Sequence, residues 1–282
     1  MGIKSKTNRV PASIDVWPIQ HNRKDIRFER RDKSQMNKIP QVTLLFWIMK
    51  IDATTLGETA GDLLSMTMGV GYGASTIILF ALFIITLIAQ LISKRYYPII
   101  YWLVITSTAI AGTTMSDFMD RTLGLGYAIG STILVCILLI IFAYWYVSER
   151  SLNIHDIRTR KVEILYWIAI LFSNTLGTAL GDFLADSSGL GYVGGAVLIG
   201  ILLALIILAK YFTKISRVFL FWLAFVLTRP FGATFGDYLT KPIEKGGLNL
   251  GTSGSSLVLG VILGVLIIYA TIRNNKSSSS FT

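Results

Sequence analysis

The sequence contains few of the residues that soluble enzymes and metal-thiolate proteins depend on. It has one cysteine, Cys136, and two histidines, His21 and His155, in 282 residues. A single cysteine excludes an intramolecular disulfide and a cysteine metal cluster, and we interpret Cys136 as a small residue in an apolar run. Both histidines lie in polar segments, which argues against a copper or zinc site. Only 15% of the residues are charged, against about 25% in an ordinary soluble domain.

Long apolar runs take the place of charge. Hydrophobic residues make up 53% of the chain, and the mean hydropathy is +0.62. Residues 76–92, 131–147 and 196–209 each supply most of the roughly 20 apolar residues that a membrane-spanning helix needs. None of these runs alternates as a transmembrane β-strand would. The chain is therefore predicted to be an all-α integral membrane protein in a lipid bilayer.

The net charge of +10 does not indicate a nucleic-acid partner, because much of it lies in one polar segment. Residues 1–35 contain nine Lys and Arg against four Asp and Glu. This segment lacks the apolar stretch of a signal peptide. Residues 1–40 are predicted to be a disordered leader, with a translation start at Met36 as the alternative.

A unit of two helices recurs four times, and repeats of this kind define the architecture. In each copy an aromatic residue precedes a tryptophan, and an aspartate follows that tryptophan by 15 positions. The pairs are Trp47 with Asp62, Trp102 with Asp117, Trp167 with Asp182, and Trp222 with Asp237. We place the repeats at residues 41–97, 98–160, 161–216 and 217–273, before a polar tail at 274–282.

Four such units predict eight transmembrane helices in four parallel repeats. The spans are expected at about 42–66, 72–93, 98–119, 127–147, 162–184, 192–212, 217–239 and 254–272. The aspartates are 55, 65 and 55 residues apart. This spacing indicates two halves of two repeats and a pseudo-twofold or pseudo-fourfold axis normal to the membrane.

Lys and Arg in the short loops predict the orientation. Most of them fall on the side of the leader, and the opposite loops have only Arg121, Lys241 and Lys245. Both termini are therefore expected in the cytoplasm, with the tryptophans near that interface. Fifteen helical residues place the aspartates about 22 Å further across the membrane.

Small residues in each repeat predict close packing of the helices. A glycine stands five positions before each aspartate, and a glycine or serine stands one position before it, as in membrane G-x-x-x-G motifs. Close approach favours four aspartates on one axis, and two lateral cavities, one for each half, are the alternative. The packing residues are Gly57, Gly61, Gly112, Ser116, Gly177, Gly181, Gly232 and Gly236.

Carboxylates gathered in a low dielectric repel one another and need a proton or a cation. Glu58 stands four residues before Asp62, and this second carboxylate is present only in the first repeat. Arg229 and Lys50 are candidate partners inside the protein. The structural alternative is that the carboxylates cap helix ends or pair with loop cations.

Oxygen ligands in the same turns favour a hard divalent ion, Mg, Ca or Mn. Met66, Met68 and Met115 would favour manganese if one of them joined the site, and core filling is the alternative. We therefore expect a divalent cation as substrate and no tightly bound cofactor. The supporting oxygen ligands are Thr55, Thr59, Thr113, Thr114, Asn174, Thr175, Thr178 and Thr234.

The tryptophan-bearing unit resembles a family of uncharacterised bacterial membrane proteins built from a tandem repeat of unknown function. This resemblance covers residues 37–273 and implies the inner membrane of a bacterium, but no activity. The stretch GETAGD at residues 57–62 is similar to the E-x-G-D signature of a cation/proton exchanger family that moves Ca and Mn. That similarity implies equivalent roles for Glu58 and Asp62, although the spacing here is E-x-x-G-D.

These observations favour a transporter of a divalent cation, coupled to protons as an exporter, over an enzyme. A non-transporting scaffold or sensor is the first alternative. An intramembrane aspartyl protease would need G-x-G-D, and the third position before the aspartate is never glycine here. No phosphate-binding loop supports ATP-driven transport. The oligomeric state is not predicted.

Overall fold

The computed structural model of the chain describes residues 38–157 and 159–279, and in that part it contains helices and no strand. The predicted leader lies outside the described residues except for 38–40. Eight long helices follow one another. They are α1 Leu44–Asp62, α2 Tyr72–Ile92, α3 Pro98–Asp117, α4 Gly126–Glu149, α5 Arg160–Asp182, α6 Gly191–Phe212, α7 Arg217–Thr240 and α8 Thr252–Ser279.

Seven of these helices are long and apolar enough to cross a membrane. The exception is α1, because its 19 residues include Lys50, Asp52, Glu58 and Asp62. The helices agree closely with the eight predicted spans. The last helix continues past the predicted end near residue 272 to Ser279, so much of the predicted polar tail is helical.

The odd-numbered helices begin at residues suited to helix starts. The hydroxyls of Thr43, Thr159 and Ser216 accept hydrogen bonds from backbone N–H groups in the first turns of α1, α5 and α7. The helix α3 has Pro98 at its first position, where the missing N–H costs nothing. Local sequence therefore sets where each of these four helices starts.

The four odd-numbered helices form a closed inner ring. Each packs against the next, α1 on α3, α3 on α5, α5 on α7, and α7 back on α1. Each even-numbered helix lies outside the ring, against the inner helix of the following repeat, and α8 closes the circle on α1. Among the helices apolar enough to span a membrane, the outer ones are 17–22% buried and the inner ones 50–78%. The polar residues therefore face the ring interior.

The predicted packing glycines set the spacing of the ring. A Cβ on Gly57 would lie 2.5 Å from the Cβ of Ala109, and one on Gly61 would lie 2.9 Å from the Cβ of Thr113. The equivalent glycines of the other repeats meet the next helix in the same register: Gly112 meets Asn174, Gly177 meets Arg229, Gly181 meets Ala233, Gly232 meets Thr54 and Gly236 meets Glu58. The inner helices are therefore parallel, at a separation that leaves no room for a Cβ at these glycines.

The backbone changes directly after three of the four aspartates. A five-residue π-helical turn follows α1, α3 and α5, at Leu63–Thr67, Phe118–Thr122 and Phe183–Ser187. The next turn in each case contains two glycines at φ of +67 to +82°, such as Gly69 and Gly71, a conformation that other residues rarely adopt. In the fourth repeat, α7 ends at Thr240, and an extended loop to Gly251 replaces the π-helical turn.

Candidate cation site

Five buried carboxylates lie together at the ends of the inner helices. Four are the repeated aspartates and the fifth is Glu58, and none of the five residues is more than 3% exposed. One oxygen each from Glu58, Asp62 and Asp237 lies within 4.8 Å of the others. We call the five residues the carboxylate layer; its members are Glu58, Asp62, Asp117, Asp182 and Asp237.

Lys241 holds two of the aspartates. Its Nζ lies 2.6 Å from Asp62 Oδ2 and 3.1 Å from Asp237 Oδ1. Burial would lower the pKa of Lys241, but the carboxylates of Asp237 and Asp62 outweigh that effect and raise it. We call Asp62 and Asp237 the Lys241 pair.

Arg121 holds the other two aspartates in the same way. Its Nε lies 3.0 Å from Asp117 Oδ1, and its Nη2 lies 3.0 Å from Asp182 Oδ2. Its Nη1 donates a hydrogen bond of 3.1 Å to the Tyr72 hydroxyl. We call Asp117 and Asp182 the Arg121 pair. Each of the two cations therefore joins the aspartate of its own repeat to that of the next repeat.

Arg229 lies one turn deeper and is fully buried. Its Nη2 forms an ion pair of 2.9 Å with Glu58 and donates hydrogen bonds to the hydroxyls of Thr113 and Thr178. These three partners come from the other three repeats and occupy the same position, four residues before the aspartate. The guanidinium therefore lies at the centre of the ring.

Further from the carboxylate layer, the ring is filled by Lys50 and by aromatic side chains. Lys50 is fully buried, 4.1 Å from the centre of the Phe225 ring, and donates a hydrogen bond of 3.4 Å to Asn174. Beyond it, an aromatic residue of each repeat contacts the tryptophan of the next. The ring centroids are 5.6 Å apart for Phe46–Trp102, 5.6 Å for Tyr101–Trp167, 6.1 Å for Tyr166–Trp222 and 5.8 Å for Phe221–Trp47.

The four tryptophans therefore pack between inner helices and do not form an exposed outer belt. Trp102, Trp167 and Trp222 are at most 5% exposed. The hydroxyls of Tyr101 and Tyr166 are also hydrogen-bonded to each other, 2.7 Å apart, within this aromatic ring. Within the described residues, aromatic side chains therefore fill the ring interior at this end.

At the opposite end, a cleft of about 390 Å³ reaches the carboxylate layer. Both bridging cations and Asp237 line it, so the Lys241 pair and the Arg121 pair are approached from this side. Met66 also lines the cleft, whereas Met68 is exposed elsewhere and Met115 packs in the apolar core. The lining residues are Met66, Arg121, Ala185, Asp186, Gly191, Tyr192, Asp237, Lys241 and Lys245.

The predicted oxygen ligands separate into three groups. Thr113 and Thr178 accept hydrogen bonds from Arg229 Nη2, the nitrogen that also forms the ion pair with Glu58. The other hydroxyls donate to carbonyls of their own helices, and Asn174 bonds with Lys50 and Thr108 instead. The hydroxyls bonded within their own helices are those of Thr55, Thr59, Thr114, Thr175 and Thr234.

Sequence reasoning missed Arg121 and Lys241, which it treated as charges of the outer loops. Both stand four residues after the aspartate of their repeat, one helical turn away. Repeats one and three have Met66 and Asp186 at that position. This alternation, with cations in the second and fourth repeats only, was the signal that could have identified them.

The fold and the site define a class, a four-repeat helical protein whose inner ring encloses a buried carboxylate layer. The chain belongs to the family described as Repeat of Unknown Function (DUF347), whose repeat matches residues 45–96, 100–151, 165–216 and 220–275. The family resemblance inferred from the tryptophan-bearing unit is thereby confirmed. Comparison with curated proteins and with solved structures gives no match.

Proposed function

We propose that the chain is a secondary transporter of a divalent metal cation, of the manganese or calcium class, working as a proton-coupled exporter. The proposal rests mainly on Glu58, Asp62 and Asp237, three buried carboxylates whose oxygens lie within 4.8 Å of one another. Carboxylate oxygens at this separation suit a hard cation.

The charge balance of the site supports a divalent substrate. Five carboxylates face three cations, Arg121, Arg229 and Lys241, in the ion pairs of the carboxylate layer. If all are ionised and Lys241 is in place, two negative charges remain, which attract a divalent cation and which two protons would neutralise. Exchange between those two states is the chemistry of a proton-coupled carrier.

Access to the carboxylate layer through the cleft also supports a carrier. The cleft leads to the carboxylate layer from one end, while Arg229, Lys50 and the aromatic ring fill the described part of the ring on the other side of that layer. Alternating access requires a site open to one side at a time. We place α1 across the membrane as well, since its polar side chains face the ring, and both termini in the cytoplasm of a bacterium.

A non-transporting scaffold is the competing function. Each repeated aspartate already has an internal cation, which is how a purely structural ion-pair network would look. Such a network would stabilise the ring without moving any ion. Flux measurements separate the two functions.

The test is uptake of Mn²⁺ and Ca²⁺ into proteoliposomes that contain the purified protein and a metal-sensitive dye. Asp62→Asn and Glu58→Gln are expected to lower flux at least about tenfold, since each removes a ligand. Glu244→Gln is the matched control. This exposed acid is next in sequence to Lys245, which lines the cleft, and it does not belong to the carboxylate layer. Wild-type flux in Asp62→Asn would refute the proposal, and no flux of either ion in any variant would favour the scaffold.

A further inference from the structure

Lys241 and Arg121 occupy equivalent positions but are held differently. Each follows the aspartate of its repeat by four residues, and each bridges that aspartate to the aspartate of the next repeat. The two cations are therefore related by the pseudo-twofold symmetry of the ring. Their surroundings break that symmetry.

Arg121 has more side-chain partners than Lys241, although its side chain is the more exposed of the two, at 26% against 17%. Its backbone belongs to the π-helical turn Phe118–Thr122, and its guanidinium lies 5.7 Å from the ring centres of both Tyr72 and Tyr127. The hydrogen bond to Tyr72 uses the nitrogen that the aspartates leave free. A planar fork that matches two carboxylates and stacks on aromatic rings is hard to displace.

The ammonium group of Lys241 has two partners among the described residues, the carboxylates of Asp62 and Asp237. It is the first residue after α7, in extended backbone, and its carbonyl accepts a hydrogen bond of 3.0 Å from the N–H of Asn249. Its side chain lines the cleft and is 17% exposed. Both side chains line the cleft, so the difference lies in what holds them: Arg121 also contacts Tyr72 and Tyr127, whereas the flexible stem of Lys241 carries a point charge held by the two carboxylates.

The Lys241 ammonium and a metal cation cannot share the Lys241 pair. Nζ lies 2.6 and 3.1 Å from the Asp62 and Asp237 oxygens. A bound Mg²⁺ or Ca²⁺ lies about 2.0 to 2.6 Å from its carboxylate ligands. An ion between these two oxygens would therefore overlap Nζ, so one must leave before the other binds.

We propose that Lys241 is a tethered counter-ion that the substrate cation displaces from Asp62 and Asp237, while Arg121 remains on Asp117 and Asp182. This inference rests on the proposed function and deepens it. Of the two symmetry-related aspartate pairs, only the Lys241 pair exchanges its cation, and Glu58 beside it supplies the third ligand. The chain therefore binds one divalent ion at this layer.

The first test measures Mn²⁺ and Ca²⁺ binding to the purified full-length protein by titration calorimetry. Lys241→Met removes the competitor, so Kd is expected to fall at least about tenfold. Lys245→Met is the matched control, because it removes the same charge from the same cleft without touching the Lys241 pair. It should change Kd less than about threefold, and Arg121→Met should not tighten binding.

The second test follows Lys241 in the wild-type protein. An amine-reactive reagent is applied with and without saturating Mn²⁺, and labelling is read for each lysine by peptide mass spectrometry. Displacement predicts that Mn²⁺ raises labelling of Lys241 and leaves Lys245 unchanged. Protection of Lys241 by Mn²⁺ would overturn the inference.

Lys241→Arg provides a second test that does not depend on whether Lys241→Met folds. A guanidinium should form stronger hydrogen bonds with both aspartates than the ammonium does, so weaker Mn²⁺ binding than in the wild type is expected. Equal binding in Lys241→Arg and wild type, or equal shifts in Lys241→Met and Lys245→Met, would defeat displacement while leaving the transporter proposal standing. Absence of metal binding in every protein, Lys241→Met included, would instead defeat the transporter proposal itself.

Discussion

Arg229 shows how a single buried side chain can serve all four repeats. It comes from the fourth repeat and contacts Glu58, Thr113 and Thr178 of the other three. An isolated guanidinium or carboxylate in such a place would be very costly, and each is tolerated because the other is present. Arg229 is therefore the residue on which the tolerance of Glu58 depends.

Replacement of Arg229 by Met is expected to destabilise the protein by about 3–5 kcal/mol, because Glu58 is left buried without its partner. Adding Glu58→Gln should restore most of that loss, since no unpaired charge then remains. The free energy of unfolding of the detergent-purified variants measures both effects. If the double variant were as unstable as the sum of the two single variants, the ion pair would not be the cause.

At the scale of helices, the inner ring depends on a glycine contact that every repeat makes. The glycine five positions before each aspartate contacts the inner helix of the next repeat. The residue that it contacts there stands eight positions before the aspartate of that next repeat. Because that residue differs between repeats, the same backbone frame holds Thr54, Ala109, Asn174 and Arg229 at one level. The backbone contact is therefore the same in all four repeats, while the side chain at that level differs.

Gly57→Ala is expected to destabilise the protein by about 1–3 kcal/mol, because the added Cβ would lie 2.5 Å from the Cβ of Ala109 and 2.9 Å from its carbonyl carbon. Gly260→Ala is the matched control, a helical glycine of α8 at which the added carbon would have no described atom within 4 Å beyond the neighbouring backbone of its own helix. It should be neutral or slightly stabilising. The melting temperatures of the two variants measure the difference. Equal melting temperatures for Gly57→Ala and Gly260→Ala would contradict the packing role of Gly57.

At the scale of the whole molecule, a cleft opens at one end of the described ring and aromatic side chains fill the other end. The cleft lies where loop 241–251 and the π-helical turns meet, and the aromatic ring lies towards the starts of the inner helices. The positive loops favour the cytoplasm for the end that holds the aromatic ring. The site would then face outward in this conformation.

Cysteine labelling tests that orientation. In a Cys136→Ser background, Glu244→Cys marks the open end and His155→Cys marks the opposite side, and both residues are exposed. A membrane-impermeant maleimide is expected to label position 244 in intact cells and position 155 only in inverted vesicles. The reverse pattern would turn the cleft to the cytoplasm and argue against an exporter that releases its ion outward in this conformation.

The sequence alone was sufficient for the eight helices, the four repeats and the level of the aspartates. These features depend on local properties, apolar length and a spacing of 15 residues from tryptophan to aspartate, which survive any arrangement of the helices. The helix starts at Thr43, Pro98, Thr159 and Ser216 are equally local.

The tertiary structure decided how the charges pair. Arg121 and Lys241 stand near helix ends, where sequence reasoning treats cations as loop charges, and only closure of the ring brings each against the aspartate of the following repeat. Arg229 meets Glu58 across 171 positions of chain for the same reason. Contacts between repeats depend on which helices become neighbours and in what register, and a periodic pattern within one helix does not contain that information.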